Sequence, residues 1–343
     1  KMTPMQSILK GLNHYSNFLI CFFLLGCSPE KKQLQKIQGY ALGTSFSISF
    51  VSNRLTPEYI SQRVDSIFKV LNNSLSTYIS DSDISKINKG NDVLVVDEHF
   101  INVYQKASEV WEQSEGFFDP TVGALVNAHG FGPEKPLKYV SDKQRDSLLL
   151  LTGWSKTKLT PQHTIKKVHP EIYFDFNALA KGYAVDVLAN YLKNNALESY
   201  LVEIGGEIVA QGRSPRSGGF WKIAIDDPLQ GDQRNFIRTV TLKNQALATS
   251  GNYRKFQVDE DTGLRIAHSI DPKTGMAIPT KVLSASVKAP DCMTADAYAT
   301  ALMVMPLEKS QKLINSKSEL EAYWIVSDSI KGIKELFSKG FIN

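Results

Sequence analysis

The sequence predicts an α+β fold with a largely antiparallel sheet and helices packed on its outer faces. Two observations support this prediction: strand-like segments with alternating apolar residues are interspersed with segments of helical periodicity, and several strand-like pieces follow each other across short turns, as in hairpins. Asp271-Pro272-Lys273-Thr274-Gly275 is one such turn, between the run Leu264–Ile270 and the run Val282–Val287.

The amino terminus has the pattern of a bacterial lipoprotein signal. Its only charged side chains are lysines, and an apolar run of about eight residues, too short to span a bilayer, ends in Leu24-Leu25-Gly26-Cys27, which resembles a lipobox. We therefore expect residues 1–26 to be a signal peptide, 27–38 to be the lipidated Cys27 with a polar tether, and 39–343 to form one domain. A cytosolic protein with an apolar amino terminus is the alternative.

Charge and cysteine content exclude several classes. Removing residues 1–26 takes away Lys1 and Lys10 from 39 basic side chains and none of the 35 acidic ones, so the mature chain is nearly neutral. Without a clustered basic stripe, this argues against a nucleic-acid binder. Cys21 lies in the signal and Cys27 at the anchor, so Cys292 alone offers neither a disulfide framework nor a thiolate metal site.

The first elements of the domain are a strand and two amphipathic helices. Phe46, Ile48 and Phe50 alternate with serines, Thr56-Pro57 starts a helix, and a second helix is predicted over Asp97–Ser114. Between the helices, Tyr78 can present a flat face to a ligand or simply pin its loop as a half-buried aromatic. After the second helix, a glycine-rich stretch containing Asp119 allows close approach of the backbone to a ligand.

Three further segments have small residues where a ligand could approach. Ile172–Leu192 is predicted to be a short strand running into a helix, and the free amides and Lys181 at its Ala178–Gly182 junction could bind a phosphate. Two strand pieces flank Gly205-Gly206, and Leu247–Gly251 forms another such loop. A Walker A loop and a complete G-x-G-x-x-G fingerprint are both missing.

Residues 265–305 carry the most distinctive chemistry. After Pro290 the period becomes helical, and Asp296 and Thr300 are spaced four apart, so they share one face of an otherwise apolar helix. They could bind Mg2+, which prefers oxygen ligands, or act only on their own helix through its dipole and a carbonyl. His268, in the strand-like run, could be catalytic or an ordinary strand histidine that is packed or solvated.

These motifs, in this order, resemble the ApbE family of FAD:protein FMN transferases over nearly all of the mature chain. The matching pieces are Leu42-Gly43-Thr44, Ser76-Thr77-Tyr78, Phe118–Gly123, Ala180–Asp186, Gly205-Gly206-Glu207, Ala248–Gly251, His268–Pro272 with Thr274-Gly275, and Ala295–Ala297 with Ala299–Ala301. This sequence departs from the family pattern at Leu42, where many members have methionine, at Asp175–Ala178, which lacks two glycines, and at His129.

The resemblance implies a compact domain with an FAD cleft between two lobes and a periplasm-facing, lipid-anchored enzyme. It implies that FMN is moved from FAD to a threonine of a partner, such as a membrane redox subunit, with release of AMP. By position it assigns the Mg2+ ligands Asp296, Thr300 and the carbonyl of Ala180, and His268 as the base. FAD contacts are implied for Leu42, Tyr78, Asp119, Lys181, Glu203, Gly205 and Ser250.

Three hypotheses follow for the activity. The first is an FMN transferase, the second an FAD pyrophosphatase that releases FMN and AMP to water, and the third a lipid-anchored flavin-binding or solute-binding protein without turnover. The presence of His268, Asp296 and Thr300 together argues against the third, because a pure binder has no need of a base beside a metal.

Overall fold

The computed structural model describes residues 33–137, 139–229, 235–252, 256–258, 265–267, 269–276, 281–328 and 332–342. The strands within these residues are β1 (Leu34–Ala41), β2 (Thr44–Val51), β3 (Thr157–Leu159), β4 (Ile165–Lys167), β5 (Tyr200–Ile204), β6 (Glu207–Gln211), β7 (Trp221–Asp226), β8 (Phe236–Leu242), β9 (Gln245–Gly251), β10 (Phe256–Val258), β11 (Arg265–Ala267), β12 (Val282–Ala289), β13 (Glu321–Asp328) and β14 (Gly332–Phe337). The α-helices are α1 (Pro57–Leu75), α2 (Asp83–Asn88), α3 (Glu98–Gln113), α4 (Gly123–Ala128), α5 (Asp142–Leu150), α6 (Ala180–Asn194), α7 (Cys292–Val304) and α8 (Leu307–Asn315).

An eight-stranded sheet forms the centre of the fold, with the order β1-β2-β5-β6-β9-β12-β13-β14. Every neighbouring pair in it is antiparallel. The predicted α+β class with a largely antiparallel sheet is therefore confirmed. Three two-stranded ladders, β3-β4, β7-β8 and β10-β11, lie outside the central sheet.

Helices cover one face of the central sheet, and a hairpin covers the other. The larger core joins the sheet to α1, α3, α6 and α7 and contains Phe46, Ile48 and Phe50, as their alternation predicted. The second core packs β7 and β8 with Phe341 against the opposite face. In the described residues this second core contains no helix, so the helices predicted to flank the sheet lie on one of its faces.

The two predicted amphipathic helices begin where their capping residues indicate. The Thr56 side chain accepts a hydrogen bond from the amide of Tyr59, and Pro57 is the first residue of α1. Asp97 caps α3 by accepting from the amide of Phe100 at 2.8 Å. None of the described helices is both long and apolar enough to cross a membrane.

The ladder registers define two ends of the central sheet. At one end, which we call the tether end, β1, β5, β9 and β13 begin and β2, β6, β12 and β14 end. We call the opposite end of the sheet the site end. Leu34 pairs with Val51 at the tether end, and Ala41 with Thr44 at the site end.

The carboxy-terminal residues close the second core through a buried lysine. Lys288 on β12 is 2% exposed, and its Nζ donates a hydrogen bond to the carbonyl of Phe341 at 2.6 Å. The carboxylate of Glu321 lies 3.2 Å from the same nitrogen. The strands β12 and β13 and the segment around Phe341 therefore meet at the ammonium group of Lys288.

Candidate functional site

The start of α6 forms one side of the candidate site. Ala180 is its first residue, and Leu179 precedes it without a side-chain cap, which leaves early amides open to other acceptors. One is used by Asp296, whose Oδ2 accepts a hydrogen bond from the amide of Gly182 at 2.9 Å. The predicted helix is confirmed; the preceding strand is reduced to an isolated bridge between Tyr173 and Val122.

Helix α7 lies unusually close to α6, which is what brings Asp296 to this junction. A Cβ atom added to Gly182 would lie 2.4 Å from the carbonyl oxygen of Cys292, so only glycine fits here. One turn further along α6, the two carboxylate oxygens of Asp186 accept hydrogen bonds from the amides of Cys292 and Met293, each at 2.8 Å. Asp186 thus satisfies the first two amides of α7, beside the N-cap Asp291, and fixes the position of α7 against α6.

Thr300 extends the same oxygen-rich line along α7. Its Oγ1 lies 3.3 Å from the Oγ of Ser250 and 3.5 Å from the carbonyl oxygen of Ala178. The carbonyl that contacts Thr300 is thus that of Ala178, two residues before Ala180. The predicted face shared by Asp296 and Thr300 is present, and it points at the α6 start and at β9.

These groups form a donor set suited to a hard cation. A carboxylate, a hydroxyl and a main-chain carbonyl are oxygen ligands of the kind Mg2+ takes when substrate phosphates complete its shell. Clusters of three or more His, Cys, Asp or Glu side chains with metal-ligand spacing do not occur among the described residues. A cation here would therefore depend on hydroxyl and carbonyl oxygens beside one carboxylate.

A buried ion pair adjoins this donor set. The Nζ of Lys181 lies 2.7 Å from the Oε1 of Glu207, and Glu207 is 2% exposed. Its other oxygen, Oε2, is buried without a hydrogen-bond partner in the described part of the chain. Glu207 is a site residue that the sequence motifs did not identify, although an acid directly after a glycine pair, at the start of a strand, is a usable signal.

The charges around Asp296 oppose one another. Burial raises the pKa of Asp296 to about 7, the positive charge of Lys181 lowers that pKa, and the negative charge of Glu207 raises it. The site thus places the buried carboxylates of Asp296 and Glu207 around the single ammonium group of Lys181. Such a place gains from an added divalent cation, because the cation offsets the excess negative charge.

Two tight turns meet beside the ion pair at the site end. Leu42 and Gly43 have φ values of +51° and +73° between β1 and β2, and Gly205 has φ +60° between β5 and β6. The amide of Gly205 donates to the carbonyl of Ser45 at 3.0 Å. Glu203 accepts from the amide of Gly206 at 2.9 Å, so its carboxylate stabilises the turn.

Two other predicted FAD contacts lie on loops of the helical layer. Tyr78 is 61% exposed, which leaves its ring accessible to a flat ligand. Asp119 is buried, and its carboxylate accepts hydrogen bonds from Thr121 and from the amide of Trp154 at 2.9 Å. The structure thus shows Asp119 holding its loop together, and its contact with FAD stays a prediction.

His268 lies outside the described residues, and its catalytic role stays a prediction. Its neighbour Ser269 donates a hydrogen bond to the side chain of Asn252 at 3.0 Å. The turn that follows is confirmed, because the amide of Gly275 donates to the carbonyl of Asp271 at 2.8 Å and the amide of Lys273 to the Asp271 carboxylate. The hairpin predicted across it is wrong, since β11 pairs with β10, whereas β12 pairs with β9 and β13.

The structure therefore groups the predicted residues in two adjoining sets. Ala180, Lys181, Ser250, Asp296 and Thr300 surround the α6 start, and Leu42, Glu203 and Gly205 form the turns at the site end. Glu207 connects the sets, since it pairs with Lys181 and follows the Gly205 turn.

Comparison with known proteins gives one consistent result. The model of the ApbE family matches residues 42–324. A protein of Vibrio cholerae named FAD:protein FMN transferase is 35% identical over 323 residues, covering 93% of this chain and 94% of that protein. One of Haemophilus influenzae with the same name is 34% identical, covering 88% of this chain and 89% of that protein.

Solved structures agree with the sequence comparison. The flavin transferase ApbE of Vibrio cholerae superposes with a TM-score of 0.81 at 32% identity, covering 90% of this chain and 99% of that one. The apo flavinyl transferase ApbE of Pseudomonas stutzeri gives a TM-score of 0.80 at 30% identity, covering 90% and 96%.

Proposed function

The chain belongs to the ApbE family and is a flavin transferase, and from this premise we propose that it moves FMN from FAD to a threonine hydroxyl of a target protein and releases AMP. The observation that carries this proposal is the meeting of Asp296 and Thr300 with the amino-terminal end of α6. There, backbone amides, Lys181 and three kinds of oxygen ligand face one place, which suits a diphosphate held with a divalent cation.

Mg2+ fits the donor set, and Asp296, Thr300 and the carbonyl of Ala180 would hold it. The buried surplus of carboxylate charge around Lys181 supports this assignment, since Asp296 and Glu207 both lie in the same buried place. When bound, Mg2+ supplies neutralisation of charge on the diphosphate during phosphoryl transfer. The carbonyl of Ala178 is a neighbouring oxygen that could replace that of Ala180.

The protein's own residues have distinct tasks in this proposal. Lys181, at the start of α6, binds the diphosphate, and the turns at Leu42 and Gly205 let the backbone approach FAD closely. His268 accepts the proton of the threonine hydroxyl while its oxygen forms a bond to the FMN phosphorus. The bond from that phosphorus to the bridging oxygen breaks, and AMP leaves with the electron pair.

Tyr78 is proposed to stack on the flavin, with Asp119, Glu203 and Ser250 lining the FAD cleft. The exposed ring of Tyr78 supports the stacking role. Glu203 and Asp119 act mainly by holding the turns that shape the cleft, as their hydrogen bonds to main-chain amides indicate.

The setting we propose is the bacterial cell envelope. The lipobox-like sequence before Cys27 supports a lipid-anchored enzyme facing the periplasm, and the acceptor is then a protein exposed there, such as a subunit of a membrane redox complex. The acceptor's threonine would lie in a motif of its own.

The deciding experiment is the intact mass of a candidate acceptor after incubation with the Ser28–Asn343 fragment, FAD and Mg2+. We expect a gain of one FMN phosphoester, lost with EDTA and lost in an acceptor whose threonine is replaced by valine. FAD converted to FMN and AMP without any mass gain would identify a pyrophosphatase instead. If FAD stays intact, only the hypothesis of a flavin-binding protein without turnover would remain.

A further inference from the structure

We infer that the tether end of the central sheet docks on an anionic membrane surface, so that the site end faces away from the bilayer. This inference rests on the proposed lipid anchor, and it concerns the orientation of the whole domain. Its starting observation is the distribution of exposed charge on the loops that join the strands at that end.

Basic side chains outnumber acidic ones on the tether end, although the mature chain as a whole is nearly neutral. Among the described residues, the exposed charges in these loops and at the adjacent helix and strand ends are basic at Arg54, Lys193, Arg213, Arg216, Lys243 and Lys339, and acidic at Glu58, Glu198 and Glu319. The basic side chains come from separate connections, which the antiparallel ladders bring to one end.

Hydrogen bonds hold these connections together, so the charges lie on one built surface. The amide of Val51 donates to the carbonyl of Ser199 at 3.1 Å, and the amide of Gly212 donates to the Asn244 side chain at 2.8 Å. The first bond joins the end of β2, next to the loop that carries Arg54, to the loop that follows Lys193. The second bond joins the loop that carries Arg213 to the loop that carries Lys243.

Apolar groups accompany the charges. The guanidinium of Arg213 lies 4.9 Å from the ring centre of Phe220, and Ile342 near the carboxy terminus is 60% exposed. Arginine on an aromatic ring, with an exposed aliphatic side chain nearby, is a combination suited to a headgroup layer, where charge and apolar surface are both accommodated.

The length of chain before β1 indicates which surface this end meets. Strand β1 begins with Leu34 at the tether end, and Cys27 precedes Leu34 by seven residues, a reach of at most about 25 Å. A lipid on Cys27 would hold the tether end near the bilayer. The tether alone allows the domain to tumble, whereas attraction between the basic end and anionic headgroups selects one orientation.

This orientation sets the height of the active site. The eight residues of β2 run from the site end to the tether end, a distance of about 25 Å at the rise of a strand. The acceptor threonine must therefore be presented roughly that far from the headgroups. An acceptor domain that projects into the periplasm meets this requirement, whereas a threonine at the membrane surface does not.

The test uses the fragment Ser28–Asn343, which lacks the lipid and keeps both cores, since their residues lie between Leu34 and Phe341. Its partition is measured on vesicles of phosphatidylcholine alone and on vesicles containing about one third phosphatidylglycerol. We expect partition only on the anionic vesicles, weakening with salt. In the triple variant Arg54→Gln/Arg216→Gln/Lys243→Gln, partition onto the anionic vesicles should fall about 100-fold, because each lost cation weakens it about fivefold.

A matched control carries Lys69→Gln, Lys143→Gln and Lys158→Gln, which remove the same charge from exposed lysines elsewhere. The control should bind like the wild type. Equal binding to neutral and anionic vesicles, or an equal loss in both triple variants, would overturn the inference. FMN transfer to a soluble acceptor is measured in a separate assay, and both triple variants should retain this activity. If the wild type lacks it, the result counts against the proposed function and not against the membrane docking.

Orientation is tested with an environment-sensitive label on a single introduced cysteine. The fragment's only cysteine, Cys292, is buried, so Arg216→Cys and Lys143→Cys can each be labelled selectively. On anionic vesicles the label at position 216 should report a headgroup environment and the label at 143 should not. Equal responses at the two positions would refute a fixed orientation.

Discussion

Replacing Lys181 with methionine should destabilise the protein more than replacing an exposed lysine of the same helix. The substitution keeps the length of the side chain and removes the cation that lies 2.7 Å from Glu207. Glu207 is 2% exposed, and its Oε2 already lacks a hydrogen-bond partner within the described residues. The variant therefore leaves a buried carboxylate without its cation, beside the carboxylate of Asp296.

The magnitude follows from the burial of the two partners. Removing one partner of a buried ion pair costs about 3–5 kcal/mol, because the other charge stays buried and unpaired. The Lys181 side chain is 31% exposed, and water near it weakens the pair, so we expect a loss of about 2–3 kcal/mol. In a chain of this size that loss lowers Tm by roughly 3–5 °C.

The assay is urea and thermal unfolding of the fragment Ser28–Asn343 in EDTA without FAD. Lys193→Met, an exposed lysine on the same helix, serves as the control and should change stability by less than about 0.5 kcal/mol. Lys181→Met/Glu207→Gln should regain more than half of the loss, since the second change removes the unpaired charge. An unchanged midpoint in Lys181→Met, or a double variant no more stable than the single one, would refute the reasoning.

Four further results are expected. Gly182→Ala should cost about 2 kcal/mol or more, because the new methyl group meets a main-chain oxygen 2.4 Å away, whereas Gly219→Ala, with 3.8 Å to its nearest neighbour, should be nearly silent in the same unfolding assay. Burial raises the pKa of Asp186 to about 7, above the value of about 3.9 in an unfolded chain. The folded protein therefore keeps a proton that the unfolded chain releases, so the contribution of Asp186 to the free energy of unfolding should fall as pH rises from about 4 through 7. Because the raised pKa of Asp296 acts in the same direction, Asp186→Asn should reduce this pH dependence without removing it. Asp296→Ala should abolish Mg2+-dependent turnover while FAD binding partly survives, as calorimetry and product analysis would show; full activity contradicts the metal assignment. His268→Ala should bind FAD and lose transfer, measured by acceptor mass, and unchanged transfer rates would remove the histidine from the mechanism.

Local sequence signals predicted much of the fold. Alternation at Phe46, Ile48 and Phe50 identified an inward-facing strand, and Thr56-Pro57 and Asp97 identified the starts of two helices, because capping is a matter of a few neighbouring residues. The face shared by Asp296 and Thr300 also followed from spacing alone. These features depend on contacts within a few residues, which is the range that periodicity reports.

Features that depend on distant contacts were not accessible in the same way. The sequence offered no means of pairing Lys181 with Glu207, 26 positions away, or of placing Asp186 under the first amides of α7. Asp119 was assigned to the ligand from its motif, and the structure uses its carboxylate for the amide of Trp154. The β7-β8 hairpin covers the second face of the sheet because of how the strands pair. The alternation of residues along the chain does not determine that pairing.

The buried contact between Lys288 and the carbonyl of Phe341 has a consequence for how the chain folds. The two groups are 53 positions apart, so the second core is incomplete until the segment around Phe341 has joined it. Bringing distant segments together costs loop-closure entropy before their contacts stabilise the chain. The final compaction of this core therefore depends on a non-local docking step, whatever the earlier segments have done.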